Sequence, residues 1–559
     1  MYNLNLGHIP QTTAIEKPME LFAEILYNSY FAEHHRHWVV KMPEYAEKYG
    51  FRHINIHGAG KLPYFCSKYA KYPLLGHEPD PAVAQEIAYF RSYLKQYKDA
   101  GLKVTCGFGG PDLPEELFEK YPEAENIQTG VLGDFIEEMV GEYFEIFPEC
   151  DRLEMYLWEN EYTSDRHLLF PQLYWGSRER KFLYSSYPYF SPEDMLAAVL
   201  TAYARGAQKA GKEFALLTFS HYPWQERLLI EAVERMDSSV PIILDHKCQP
   251  GDWDIHRPVN NVLEHVSQKK AGMLFDGAGE YWGQCRVPFC LPEDIQARLQ
   301  HALNYNTNIQ ELGMRVMWEF DNVFDNYNEI NFYALMRFAK DPWVPIEQVW
   351  QDWAEERFGK EAAPAIVSAL SRTQEIGSKI FYILGCWANN HSMLPSLAYI
   401  TSHTMNFGRA LREWKPMDYV NEAIYLELSK RPREITVKRV LKEKEEALLL
   451  VEKSGEDVAS VIDLLKEEEA ERITYQFELL KDYTIIVADH NEAFIRYWIE
   501  KTNPTEAAAD NREKLEEALK RLDTHADFVE KKYLEKEPIL KAVHIRRFTE
   551  DVRKALNEL

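Results

Sequence analysis

The sequence predicts a TIM (β/α)8 barrel over residues 1–341, followed by an all-helical C-terminal domain over 342–559. Three observations carry this reading. Short apolar runs alternate with helix-length amphipathic stretches, often with a glycine between helix and strand, which is the pattern of a parallel sheet. Seven such runs are clear and an eighth is needed near the start, and eight units favour a closed barrel over an open sheet. Beyond 342 the strand-like runs stop, and apolar residues recur at three- and four-residue spacing.

The first strand is assigned to ELFAEILYNSY (20–30), the weakest of the eight. PEYAEKYG (43–50) reads as a helix closed by Gly50 and leads into strand 52–57. Helix 82–101 closes on Gly101 and leads into strand 102–107. The GFGGPD that follows lacks the spacing of a dinucleotide-binding loop. Helix 132–147 precedes strand 152–158, and helix 192–211 precedes strand 213–219. WQERLLIEAVERM leads to strand 241–246 and NNVLEHVSQKK to strand 271–276. Helix 292–312 leads to the last strand, 313–319. In the helical domain the charged runs KEKEE and KEEEAER read as solvated helix faces.

A net charge of −25 argues against nucleic acid or an anionic membrane as the main partner. No apolar run reaches the ~18 residues a membrane span needs. The seven cysteines include no CxxC pair, so reduced thiols and a cytoplasmic protein are expected. The N-terminus lacks the basic start and apolar core of a signal peptide. His246, Cys248, His256, Cys285 and Cys290 match no zinc spacing, so neither a metal nor another cofactor is expected.

Residues just past the C-terminal strand ends line the reaction site of such a barrel. That rule selects His57, Asp112, Glu159, Glu161, His221, Lys247, Asp252, Glu280, Glu319 and Asp321. Glycoside hydrolysis requires an acid to protonate the leaving oxygen and a second carboxylate across the ring, and this set supplies both. Some of these acids could instead be buried in ion pairs with Arg166, Arg257 or Arg315. Trp253 and Trp282 flank the proposed bases and suit stacking on a sugar, with core packing as the alternative. His57 and His221 suit contacts to sugar hydroxyls, with a structural role equally open.

The run ILDHKCQPGDWDIHRPV resembles the sixth-strand segment of the glycoside hydrolase family 67 α-glucuronidases, with Lys247, Pro250 and Asp252 at the matching offsets. FDGAGEYWGQ is similar to their next motif, with Glu280 as its carboxylate, and WENEY falls where the family places its acid, here Glu161. The likeness extends over roughly 43–360. It implies an exo-acting, inverting α-glucuronidase releasing a uronic acid from oligosaccharides, xylan fragments among them. Glu161 would be the general acid, its proton held by burial or by the like charge of Glu159. Asp252 and Glu280 would activate water, and Lys247 would help bind the substrate carboxylate. The family carries a β-rich domain ahead of the barrel, whereas this chain begins close to it. The family's strand-five arginine is also missing from LLTFSHYPW, leaving His221, Arg166 or Arg286 as replacements.

Two other readings stay open. Asn160-Glu161 also resembles the acid/base signature of retaining glycosidases, with Glu280 then the nucleophile. A barrel that binds carbohydrate without catalysis is the other. The helical domain is expected either to form a homodimer, as the resemblance implies, or to cap the barrel.

Overall fold

The computed structural model describes residues 15, 17–26, 32–57, 81–110, 115–157, 191–218, 223–250, 253–317, 321–389, 391–401 and 422–559. Eight parallel strands close into a barrel in chain order. They are β1 (Glu20–Leu26), β2 (His53–His57), β3 (Lys103–Gly109), β4 (Arg152–Tyr156), β5 (Glu213–Thr218), β6 (Ile243–Lys247), β7 (Lys270–Asp276) and β8 (Ile309–Arg315). The stretch assigned to the first strand does form it, and β8 returns to β1 with Gly313 opposite Phe22. A Cβ on Gly313 would fall 1.9 Å from the Phe22 ring, so the aromatic fills the space the glycine leaves.

Helices α1 (Ala32–Tyr49), α2 (Pro81–Asp99), α3 (Val131–Ile146), α4 (Pro192–Lys209), α5 (Pro223–Arg235), α6 (Val262–His265), α7 (Pro292–Tyr305) and α8 (Glu329–Phe338) follow the strands in turn. The chain leaves α2 through Gly101 at φ +74°, a conformation a Cβ disfavours. Where the sequence suggested a full helix over 260–270, α6 is a single turn.

The largest departure is at the eighth unit. The sequence reading ran the helix to 312 and placed the strand at 313–319, whereas α7 stops at Tyr305 and β8 starts at Ile309. Asn306 is extended and takes the break: its Nδ2 donates to the Leu263 carbonyl at 2.9 Å, and its Oδ1 accepts from the Asn308 N–H at 2.9 Å. The alternation of β8 then turns Glu311, Gly313 and Arg315 inward.

The barrel floor is ionic. Arg152 is fully buried and donates to both oxygens of Glu311, at 2.7 and 2.8 Å, and to Glu213 at 3.0 Å. Lys270 pairs with Glu311 from β7. Burial and the neighbouring Arg152 hold His53 well below the usual imidazole range, so it sits neutral against Thr105 at 2.6 Å. One layer up, burial raises the carboxyl of Glu154 well above its ordinary value, and Asp245 beside it adds to the rise. Glu154 accepts from the Asn55 side-chain amide at 2.8 Å.

Beyond the barrel come α9 (Ile346–Phe358), α10 (Ala363–Ser371), α11 (Thr373–Ile380), α12 (Glu422–Lys430), α13 (Glu434–Ala459), α14 (Glu467–Thr502), α15 (Asn511–Tyr533) and α16 (Ala542–Asn557). α13, α14, α15 and α16 pack in succession. A two-stranded hairpin, β9 (Tyr382–Ile383) and β10 (Cys386–Trp387), interrupts this helical region. The region is docked on the barrel through Arg286, which binds both Glu537 oxygens at 3.0 Å, and through Tyr327, whose hydroxyl donates to Glu469 at 2.9 Å. Among the described residues no helix is long and apolar enough to cross a membrane.

Candidate active site

Strand β7 ends on Asp276, whose carboxylate folds the next residues back over the barrel mouth. It accepts the backbone N–H groups of Ala278, Gly279 and Glu280 at 3.0, 3.1 and 3.1 Å. Burial, outweighing Arg315, pushes the Asp276 carboxyl up to about 7, and the Glu280 charge adds to the rise. This turn delivers Glu280 to the mouth, where it is only 4% exposed.

Each Glu280 oxygen faces a cationic side chain or a ring nitrogen. Oε2 lies 3.4 Å from Arg315 Nη1, and Oε1 lies 3.2 Å from His391 Nδ1. Arg315 is fixed from its other side by Glu24, through Nε at 2.6 Å. Its guanidinium carbon lies 5.6 Å from the Trp253 ring centroid, and Lys247 Nζ lies 4.4 Å from the same centroid. Both distances suit cation–π attraction. The ends of β6, β7 and β8 and the loops beyond them therefore bring Lys247, Glu280, Arg315 and the Trp253 indole together.

Of the residues predicted from sequence, Lys247, Trp253 and Glu280 converge at this point. His57 stands at the end of β2 with its ring stacked 4.1 Å from Tyr156. Trp253 is 1% exposed, its ring enclosed beneath the two cations. Trp282 is 3% exposed, stacks on Phe289 and donates to the Tyr382 hydroxyl at 2.8 Å, so its ring joins the barrel to the helical region. Glu159, Glu161, His221 and Asp252 lie outside the described residues, as do Asp112 and Glu319. Asp321 is bound by Arg286 at 2.9 Å, and burial raises its carboxyl to about 6. Arg286, one of the replacements considered for the missing arginine, is thus engaged with Asp321 and Glu537.

Two members of the cluster, Asp276 and His391, were not found from sequence, and Arg315 was considered only as an ion-pair partner for the acids, the contact it makes with Glu280. Arg315 was placed in mid-strand by the displaced β8, although the Asn-Thr-Asn break at 306–308 was there to be read. Asp276 was passed over as part of the strand. His391 comes from the helical region, and nothing local marks it. Among the described residues no group of three or more His, Cys, Asp or Glu is arranged to hold a metal ion.

No protein-family model matches the chain, and no curated protein matches it. The resemblance to family 67 thus finds no matching family model. Among the solved structures that it resembles are three glycoside hydrolases. A GH138 enzyme targeting pectin rhamnogalacturonan II aligns over 98% of this chain and 85% of its own, with TM-score 0.60 and 12% identity. A GH115 4-O-methyl-α-glucuronidase with specificity for decorated arabinogalactans aligns over 95% of this chain and 62% of its own, at TM-score 0.48 and 11% identity. A mutant O-GlcNAc hydrolase from Thermobaculum terrenum aligns over 96% and 95%, at TM-score 0.42 and 10% identity. At these identities the GH138 likeness speaks to the fold alone.

Proposed function

We propose that the chain is a glycoside hydrolase that works at the C-terminal mouth of the barrel, releasing an α-linked uronic acid from an oligosaccharide with inversion. The observation that supports this most is the setting of Glu280: a buried carboxylate at the end of β7, gripped on one side by Arg315 and bordered by Lys247 over Trp253. A carboxylate so placed can activate water against an anomeric carbon. Lys247 gives a substrate carboxylate a counter-charge inside a chain of net charge −25, which would otherwise repel it. Arg315 anchors Glu280. Glu161 takes the acid role and Asp252 shares the base role, as the motifs imply.

Proton NMR of the first anomer released from glucuronic-acid-substituted xylo-oligosaccharides tests this. Release of the β-anomer supports the inverting reading. Release of the α-anomer keeps the hydrolase and makes Glu280 a nucleophile. No release from these or from a panel of other α-linked uronates and neutral glycosides overturns it, and would leave a carbohydrate-binding barrel.

A further inference from the structure

We propose that the helical region completes the site, with His391 as a positioning residue for Glu280; this rests on the reading of Glu280 given above. The imidazole Nδ1 is 3.2 Å from Glu280 Oε1. It faces the oxygen that Arg315 does not, so each carboxylate oxygen has a neighbour, one from β8 and one from outside the barrel.

The backbone that presents His391 is strained and over-determined. His391 and Ser392 are consecutive non-glycine residues at φ +48° and +66°. Such conformations cost roughly 1–3 kcal/mol each and persist only where the surroundings enforce them. Here the enforcement comes from the Glu280 loop itself. Ser392 Oγ donates to the Glu280 carbonyl at 2.9 Å and accepts from the Gly283 N–H at 2.7 Å. Gln284 Nε2 donates to the His391 carbonyl at 2.6 Å, and Asn389 Nδ2 donates to the Tyr281 carbonyl at 2.8 Å. From α14, the Tyr483 hydroxyl donates to the Ser392 carbonyl at 2.8 Å. Across the contact, Gln284 and Cys285 are also at positive φ, +47° and +58°. Strain on both sides of one junction, beside a buried carboxylate, is what a positioned group requires.

The imidazole is more open to solvent than the carboxylate it faces. Its side chain is 38% exposed while that of Glu280 is 5% exposed, so it stands between solvent and the carboxylate. Tyr281 packs 5.2 Å from it and meets Trp387 of β10 edge-on at 4.0 Å. Among the described residues, Arg315 from β8, Asp276 from the end of β7 and Tyr281 from the same loop face this pair. Arg315 is permanently charged, which leaves Glu280 as the partner whose removal the imidazole will sense most.

Two measurements on the full chain separate this proposal from the hydrolase reading. First, the His391 resonance in ¹³C-histidine-labelled protein, assigned by its loss in His391→Gln, is titrated in wild type and in Glu280→Gln. Loss of an adjacent carboxylate should lower its midpoint by about one pH unit; an unchanged midpoint overturns the contact whether or not the chain hydrolyses anything. Second, if wild type is active, His391→Ala should lower kcat about tenfold or more with KM little changed, and shift one limb of the pH profile. His391→Gln should recover part of kcat, because its side-chain amide can reach Oε1. Equal loss in both variants, or loss that only follows melting temperature, overturns the positioning role. An inactive wild type with a shifted midpoint would sink the hydrolase reading and keep the contact.

Discussion

Glu311 at the floor of the barrel and Glu280 at its mouth are both buried carboxylates facing an arginine, yet they are held differently. Glu311 receives two short parallel hydrogen bonds from Arg152, and Lys270 pairs with it too. Burial works against its charge, but Arg152 and Lys270 prevail and pull its carboxyl far below the usual range. Glu280 has Arg315 at 3.4 Å and His391 at 3.2 Å, at or beyond the ordinary hydrogen-bond distance. A fully satisfied ion cluster specifies the closed barrel. Glu280, at longer range from its two neighbours, lies beside an indole and a lysine at the mouth. The difference matches the general division of such barrels, in which the N-terminal end serves stability and the C-terminal end serves chemistry.

The comparison can be broken first at the floor. Arg152→Met removes the cation shared by Glu311, Glu213 and Asp245, leaving Lys270 on Glu311 and Lys103 on Glu213, and should cost about 3–5 kcal/mol because the buried acids lose their main partner. Chemical denaturation measures this; a loss below about 1 kcal/mol would deny the floor its structural role. At the mouth, Lys247→Met keeps the packing on Trp253 and removes the charge. The KM for a uronate substrate should rise about tenfold or more, with a neutral sugar little affected. Equal effects on both substrates would remove Lys247 from carboxylate recognition.

The smallest effect sharpens the comparison through pH. Asp276 has its folded-state pKa raised from 3.8 to about 7 by burial. A raised pKa contributes stability that is present below the unfolded value and lost as pH rises through the folded one. Wild type should therefore lose stability relative to Asp276→Asn between about pH 4 and 7. Melting curves of the two proteins across that range test it, and a difference independent of pH would show that Asp276 is ionised throughout. Glu311 has the opposite sign, since its depressed pKa makes its contribution fade as pH falls.

Much of this arrangement was legible in the sequence. The strand ends at Lys247 and Asp276 follow from short apolar runs that stop at polar clusters, and Glu280 follows from the loop beyond. What escaped was set by tertiary structure. β8 was displaced by four residues because HALNYNTNIQEL keeps helical spacing past the point where Asn306 breaks the helix. That shift kept Arg315 out of the list of mouth residues, so that it entered only as an ion-pair partner for the acids. His391 was hidden for a stronger reason. Its positive φ is imposed by hydrogen bonds from residues about a hundred positions away, and no local residue type announces it. The hairpin that leads to it is the one strand pair described in a region read as almost wholly helical.

The most direct test is Glu280→Gln, with turnover and thermal unfolding measured on the same preparation. The substitution keeps the shape of the side chain and removes its charge. The account predicts a loss of activity of about a thousandfold or more, as expected for a carboxylate acting in the transition state, with the melting temperature nearly unchanged. Retained activity, or a fall in melting temperature like that of Arg152→Met, would contradict it and make Glu280 a structural carboxylate of the same kind as Glu311.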